Sequence, residues 1–227
     1  MAYAGFDKLA YPGDALMAWL KADTNLSFVG FYLAPAPSRP TSDWMGRRGT
    51  LAAQGWGFAP VYVGQQEATQ PGQHVLTAPQ GAIDAQDAVS LMNVEAFPRG
   101  SVVYLDIEQG GAESAATQAY SCAWIDAVNA DGSYHPAVYC SHTTAPSLLA
   151  LRPGTQLWVW NIAGAVPGPN YPPNLPANNP SVSGVPSATV LQYAQNVSID
   201  LHNGPTAKLG LDLDCASIPD PSLPSGM

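Results

Sequence analysis

The sequence predicts an α/β barrel of the TIM type in a modified (β/α)5(β)3 form, with the helices missing after the last strands. Five short apolar runs are each followed by a helix-like segment, which argues for parallel strands with helices outside. Three further apolar runs follow with no convincing helix between them, which brings the strands to the eight that can close a barrel. An open doubly wound sheet fits less well, because no GxGxxG or GxxxxGK phosphate loop follows the first strand.

The elements follow in order. Residues 3–7 form a short strand ending in GFD, and 12–22 a helix with Pro12 suited to its first turn and Leu16, Trp19 and Leu20 on one face. SFVGFYL (27–33) is the second strand. Asp43 can cap a helix reaching Gly55, and FAPVYV (58–63) is the third strand. A polar linker, 64–82, leads to Asp84 as the cap of a helix through Phe97. SVVYLDIE (101–108) is the clearest strand in the chain. Ser114 caps a helix over 115–130, ended by Gly132, and the strand at 136–141 is followed by a shorter helix around 147–151. Beyond the strand at 156–162, residues 164–187 are rich in Pro, Asn and Gly and show no helical period. Strands at 189–195 and 209–215 complete the set. The barrel domain is expected to span 1–218, leaving 219–227 as a loose tail.

Composition narrows the partners. Only 11% of the 227 residues are charged, against about 25% in ordinary soluble domains, and the net charge is −9. An anionic chain is repelled by polyphosphate and by acidic membranes, so nucleic acid is not an expected partner and an uncharged substrate fits better. No window approaches the roughly 20 apolar residues of a membrane span, and the first residues lack the pattern of an export signal. Cys122, Cys140 and Cys215 have no metal-ligand spacing and read as buried free thiols.

In such a barrel the working residues stand at the carboxyl ends of the strands. Asp7 ends the first strand, Asp106 and Glu108 the fourth, and Asp212 and Asp214 lie on the eighth, all in otherwise apolar runs. Strand residues two apart share a face about 6.5–7 Å apart, so Asp106 and Glu108 project together, and closure brings Asp7 beside Asp212. Crowded carboxylates in a partly dry mouth keep at least one proton near neutral pH. That proton suits a general acid for glycoside cleavage, while an ionised neighbour stabilises the positive charge developing at the anomeric carbon. Glu108 is expected to be the least solvated of the group. The competing readings are salt bridges at the barrel mouth, or an all-oxygen Mg²⁺ or Ca²⁺ site built by Asp106, Glu108, Asp212 and Asp214. Tyr62, Trp160, Gln192 and Asp214 are candidate sugar contacts. Trp158, on the same strand face as Trp160, reads mainly as core.

The motifs GFD, YLDIE, AVYCS, LWVWN, LQY and LDLD resemble the strand ends of glycoside hydrolase family 25 lysozymes. From Ala4 to about Ile218 the chain resembles more closely the bacterial glycoside-hydrolase-like family known as domain of unknown function 1906. The resemblance implies cleavage of the β-1,4 bond between N-acetylmuramic acid and N-acetylglucosamine in peptidoglycan. It also implies Glu108 as the acid, Asp106 as its partner, Asp7 and Asp212 as flanking carboxylates, and no metal or cofactor. A wall substrate implies work outside the cytoplasm after export or delivery, by a protein expected to be a monomer. The chain departs from the lysozymes at Asp214, where they usually carry Asn, at VYVGQQ, and in the proline-rich loop after the sixth strand.

Overall fold

A computed structural model describes residues 1–162 and 175–223, so the first part of the proline-rich loop lies outside the described residues. The chain runs β1 (Tyr3–Asp7), α1 (Asp14–Asp23), β2 (Leu26–Tyr32), α2 (Arg48–Ala53), β3 (Gly57–Val63), α3 (Ala78–Val94), β4 (Val102–Asp106) and α4 (Ala115–Asp131). It continues through β5 (His135–Ser141), α5 (Ala145–Leu151), β6 (Gln156–Trp160), a 3-10 turn at Pro180–Ser183, β7 (Ala188–Asp200) and β8 (Lys208–Ala216). The strands close into a barrel in sequence order.

β1 to β7 are parallel to their neighbours, whereas β8 is antiparallel to both β7 and β1. The seven residues between β7 and β8 are too few for a parallel crossover and allow only a hairpin. β8 therefore presents the residues nearest its start to the mouth, and Asp212 pairs with Asp7 in the ladder. β7 is also longer than the sequence suggests, so the hairpin overhangs the mouth.

Three helix starts differ from expectation. α1 begins at Asp14, just after Pro12 and Gly13. α2 is reduced to Arg48–Ala53, because Trp44 is fully buried with Nε1 donating to the Lys8 carbonyl at 2.9 Å, which draws the preceding segment into turns. α3 starts at Ala78, capped by the Thr77 side chain, with a proline in its first turn where none of its hydrogen bonds is lost. Asp84 is consequently no cap. It is buried in mid-helix and accepts hydrogen bonds from Gln65 Nε2 (3.2 Å), Gln80 Nε2 (2.7 Å) and Tyr120 Oη (2.7 Å), tying α3 to α4 and to the end of β3. α4 does end at Gly132, whose φ of 71° suits a residue without a side chain.

The core fills the barrel and the layer between it and the helices, with Phe6, Phe28, Tyr104 and Trp158 inaccessible or nearly so. The three cysteines are free and buried. Residues 219–223, expected to belong to a loose tail, instead pack across the end of the barrel opposite the mouth. Asp220 Oδ1 accepts from the Phe58 amide at 2.9 Å, the Ser222 carbonyl from the Val102 amide at 2.7 Å, and the Pro221 carbonyl from Tyr104 Oη at 3.0 Å. Gly57 makes this approach possible, since a Cβ there would lie 2.2 Å from the Pro219 carbonyl oxygen.

Candidate active site

A cavity of about 760 Å³ opens at the carboxyl ends of the parallel strands. Asp7, Asp106, Glu108 and Asp212 all line it, brought together from β1, the end of β4 and β8. β4 stops at Asp106, and Glu108 lies two residues beyond, its backbone still extended by the Ile107 amide bonding to the Tyr139 carbonyl.

Asp7 is buried and firmly held. Tyr32 Oη donates to Oδ1 at 2.6 Å and Gln192 Nε2 to Oδ2 at 2.7 Å. Burial raises its carboxyl above the ordinary range, and these two donors together with a hydrogen bond shared with Asp214 oppose that rise. Space for Asp7 comes from Gly30 on β2, where a Cβ would stand 2.6 Å from the Asp7 Cβ. Asp214, expected as a sugar contact, instead lies beneath, off the cavity lining and with no exposed surface, accepting from Trp158 Nε1 at 3.0 Å. Burial, then Asp7, push its carboxyl well up, so Asp214 is the member of the pair that keeps the proton.

Asp106 is buried as well, and its Oδ1 has no hydrogen-bond partner among the described residues. Burial, then Glu108 and Asp7, raise it well above the usual carboxylate range. Glu108 is the exposed member of the group, in contrast to the expectation that it would be the least solvated. Asp106 ends the strand inside the barrel, whereas Glu108 stands above it on the rim. Its carboxyl is nonetheless raised, by desolvation within the concave mouth and by Asp7 and Asp212. Asp212 is pushed up to about 6, by desolvation first and Asp7 next, against the Asn196 amide bonded to its Oδ1 and the nearby Lys8.

Gln66 carries a role the sequence did not signal. Its Nε2 donates to the Asp106 carbonyl at 2.8 Å and its Oε1 accepts from the Glu108 amide at 3.1 Å, so one buried side chain fixes the backbone of both acids. Tyr32 was missed too. It ends β2 at the mouth, where the strand-end rule would have found it had the rule been applied beyond acids.

The other candidate contacts divide. Gln192 lines the cavity, but Nε2 is committed to Asp7, and Oε1 accepts from Tyr139 Oη (2.8 Å) and Gln195 Nε2 (2.7 Å). Tyr62 is not in the cavity. Val61 and Val63 line it, and strand alternation turns the residue between them outward, where Tyr62 packs against Trp124 of α4. Trp160 is half-buried against Gly110 and likewise does not line the cavity. Trp158, one layer lower, lines it and packs edge-on against Tyr104 and Tyr139. Among the described residues, no group of three or more His, Cys, Asp or Glu is arranged to hold a metal ion.

Eight strands closed around a mouth of carboxylates define a barrel of the glycoside hydrolase type. The family model for the Rv2525c-like, glycoside hydrolase-like domain matches residues 18–199, and the chain belongs to that family. Its fold is shared by the Mycobacterium tuberculosis Tat-secreted protein Rv2525c, at 15% identity and TM-score 0.61 over 97% of both chains. The catalytic domain of endolysin ply40 from Listeria monocytogenes bacteriophage P40 has TM-score 0.61 and 14% identity, over 96% of this chain and 94% of that one. A family 25 glycosyl hydrolase from Bacillus anthracis has TM-score 0.56 and 12% identity, over 95% and 89%. No curated protein sequence matches the chain.

Proposed function

We propose that this protein is a glycosidase cleaving the glycan of bacterial cell-wall peptidoglycan, with Glu108 as the general acid. The observation that carries the reading is the meeting of Asp7, Asp106, Glu108 and Asp212 in one open cavity. Glu108 is reachable by a polymer, and its raised carboxyl retains a proton to a higher pH than a free glutamic acid. It delivers that proton to the glycosidic oxygen as the bond to the anomeric carbon breaks. Asp7, whose ionised form is stabilised by Tyr32 and Gln192, supplies negative charge below the developing oxocarbenium ion. The free Oδ1 of Asp106 is available to orient a 2-acetamido group. Gln192 and Asp214 act from beneath, by holding Asp7.

The Listeria phage neighbour is an endolysin and the mycobacterial one is Tat-secreted, which supports work outside the cytoplasm after export or delivery. No described helix is long and apolar enough to cross a membrane. The net charge of −9 argues against nucleic acid as a partner, and we expect a monomer.

Zymography on purified peptidoglycan, with and without a chelator, tests the reading. Clearing under both conditions is expected. Clearing abolished by the chelator would indicate a metal-dependent hydrolase, and binding without clearing a sugar-binding barrel.

A further inference from the structure

β3 and β4 run side by side only as far as the pairing of Val63 with Asp106. At Gly64 the chain turns out of the sheet so close to the helical layer that a Cβ there would lie 2.5 Å from Tyr120 Oη and 2.7 Å from Leu105 Cδ1. The Gln65 amide then bonds to Tyr120 Oη at 3.1 Å, and the Gln65 side chain accepts from the Val75 amide at 2.9 Å. Gln66 returns to the mouth with its backbone already tied. Its amide donates to the Gln73 carbonyl at 2.7 Å, and its carbonyl lies 3.0 Å from His74 Nδ1. The two bonds of its side chain therefore start from a fixed base. Donation to the Asp106 carbonyl and acceptance from the Glu108 amide straddle Ile107, which is the pattern one residue makes with its neighbour in a parallel ladder. A flipped side-chain amide would set donor against donor and acceptor against acceptor, so the partners fix which end is nitrogen. On the β5 side Ile107 keeps a true ladder bond, its amide donating to the Tyr139 carbonyl at 3.0 Å.

We propose that Gln66 is the positioning residue of this site: its side-chain amide replaces the β3 residue that left the ladder, extends β4 by one rung, and so sets the height of Glu108 over the cavity. The proposal rests on the reading of Glu108 as the general acid. Gln66 bonds to the backbone of the two acids and not to their carboxyls, so its part is geometric. A displacement of about 1 Å at a reacting group can cost about 10²-fold in rate. Gln66 also lines the cavity, so direct contact with the sugar is the competing role, and that role predicts a loss of binding instead.

The test compares Gln66→Met and Gln66→Glu with wild type, by kcat and KM on purified glycan strands, by calorimetry with a short glycan, and by hydrogen exchange of the Glu108 amide followed by NMR. Gln66→Met removes both bonds at similar volume. Its kcat should fall by roughly 10–100-fold with KM and binding within about twofold of wild type, and its Glu108 amide should exchange faster. Gln66→Glu contains its own rescue. A protonated carboxyl can donate to the Asp106 carbonyl and accept from the Glu108 amide, whereas the ionised form sets an oxygen against that carbonyl. Burial, with Asp106 and Glu108 alongside, raises the introduced carboxyl above the usual value of about 4.3; Arg39 on the same lining opposes them, and His74 meets the backbone carbonyl. The kcat of Gln66→Glu relative to wild type at the same pH should rise roughly tenfold from about pH 7.5 to about pH 5, while the ratio for Gln66→Met stays level. An added charge beside Glu108 would on its own help it keep its proton, so a loss on ionisation reports the broken bond. Should Gln66→Met not fold, Gln66→Glu gives the comparison within one sample. Matching losses of rate and binding, or a level ratio for Gln66→Glu, overturn the proposal and leave Glu108 as the acid. Glycan left uncut by the wild type overturns the glycosidase reading instead, and exchange then decides the rest: faster exchange in Gln66→Met retains Gln66 as the residue that places Glu108, and unchanged exchange overturns that as well.

Discussion

Gln192 Nε2 donates to Asp7 Oδ2 at 2.7 Å across 185 positions of sequence, joining β7 to β1 past the intervening β8. The bond holds the buried carboxyl in one rotamer and favours its ionised form. In Gln192→Leu, both Asp7 Oδ2 and Tyr139 Oη lose a partner. Unfolding in urea should show a loss of about 1–3 kcal/mol, the cost of stranding buried polar groups. The Asp7 carboxyl, followed by NMR, should titrate higher than in the wild type.

Glu108→Gln keeps shape and removes the proton. Glycan cleavage should fall by roughly 10²–10⁴-fold while binding of a short glycan changes little. Retention of more than about a tenth of the wild-type rate would remove Glu108 from the role of general acid. Asp106→Asn should also be severe, and the defect should shrink on artificial substrates without a 2-acetamido group.

The carboxylate cluster sets an unusual pH dependence. Asp212 is raised from 3.8 to about 6, and Asp7, Asp106, Glu108 and Asp214 are displaced in the same direction. The folded state therefore binds more protons than the unfolded chain once pH exceeds the unfolded values. Stability is lost as pH rises through the folded ones. Glu67, held low by Ser114 and Thr117, acts oppositely below its unfolded value of 4.5. Thermal melts should show a maximum at or below about pH 4.5 and a lower Tm at about pH 7.5. Asp214→Asn should flatten the decline, and a Tm rising steadily to neutrality would contradict the assigned shifts.

Truncation after Ile218 would strip the Phe58 and Val102 amides and Tyr104 Oη of their partners. A loss of at least about 2 kcal/mol is expected, or roughly 4–8 °C in Tm for a chain of this size. Gly57→Ala should reproduce part of that loss, because its Cβ displaces the same segment. Calorimetry of the two variants against wild type checks both.

What the sequence revealed was what strand chemistry can carry. Acids inside apolar runs stand out, and strand order alone sets Asp7 against Asp212, so the floor of the cavity was legible. Facing was less so: Tyr62 has the right composition for a sugar contact, but nothing local says that Val61 and Val63 hold the inward positions. Asp84 looked like a cap because capping is a local pattern, whereas its three donors come from β3's end, α3 and α4. Gln66 was invisible for a related reason, since a glutamine in a polar linker acquires meaning only when β3 and β4 lie side by side.

The antiparallel β8 has a consequence for how this family can vary. On most of the rim, depth and width depend on loops, each of which can change length freely. On the β7–β8 side the wall is a ladder whose irregularities beside Asp212 all fall on β7, and a residue inserted in β8 itself next to Asp212 would turn that carboxyl to the outer face. Growth is confined to the tip, between Asp200 and Lys208, where added residues heighten the wall without disturbing the acids below. Diversification on this flank is thus restricted to changes in height, while the opposite flank is free to be rebuilt for a different polymer.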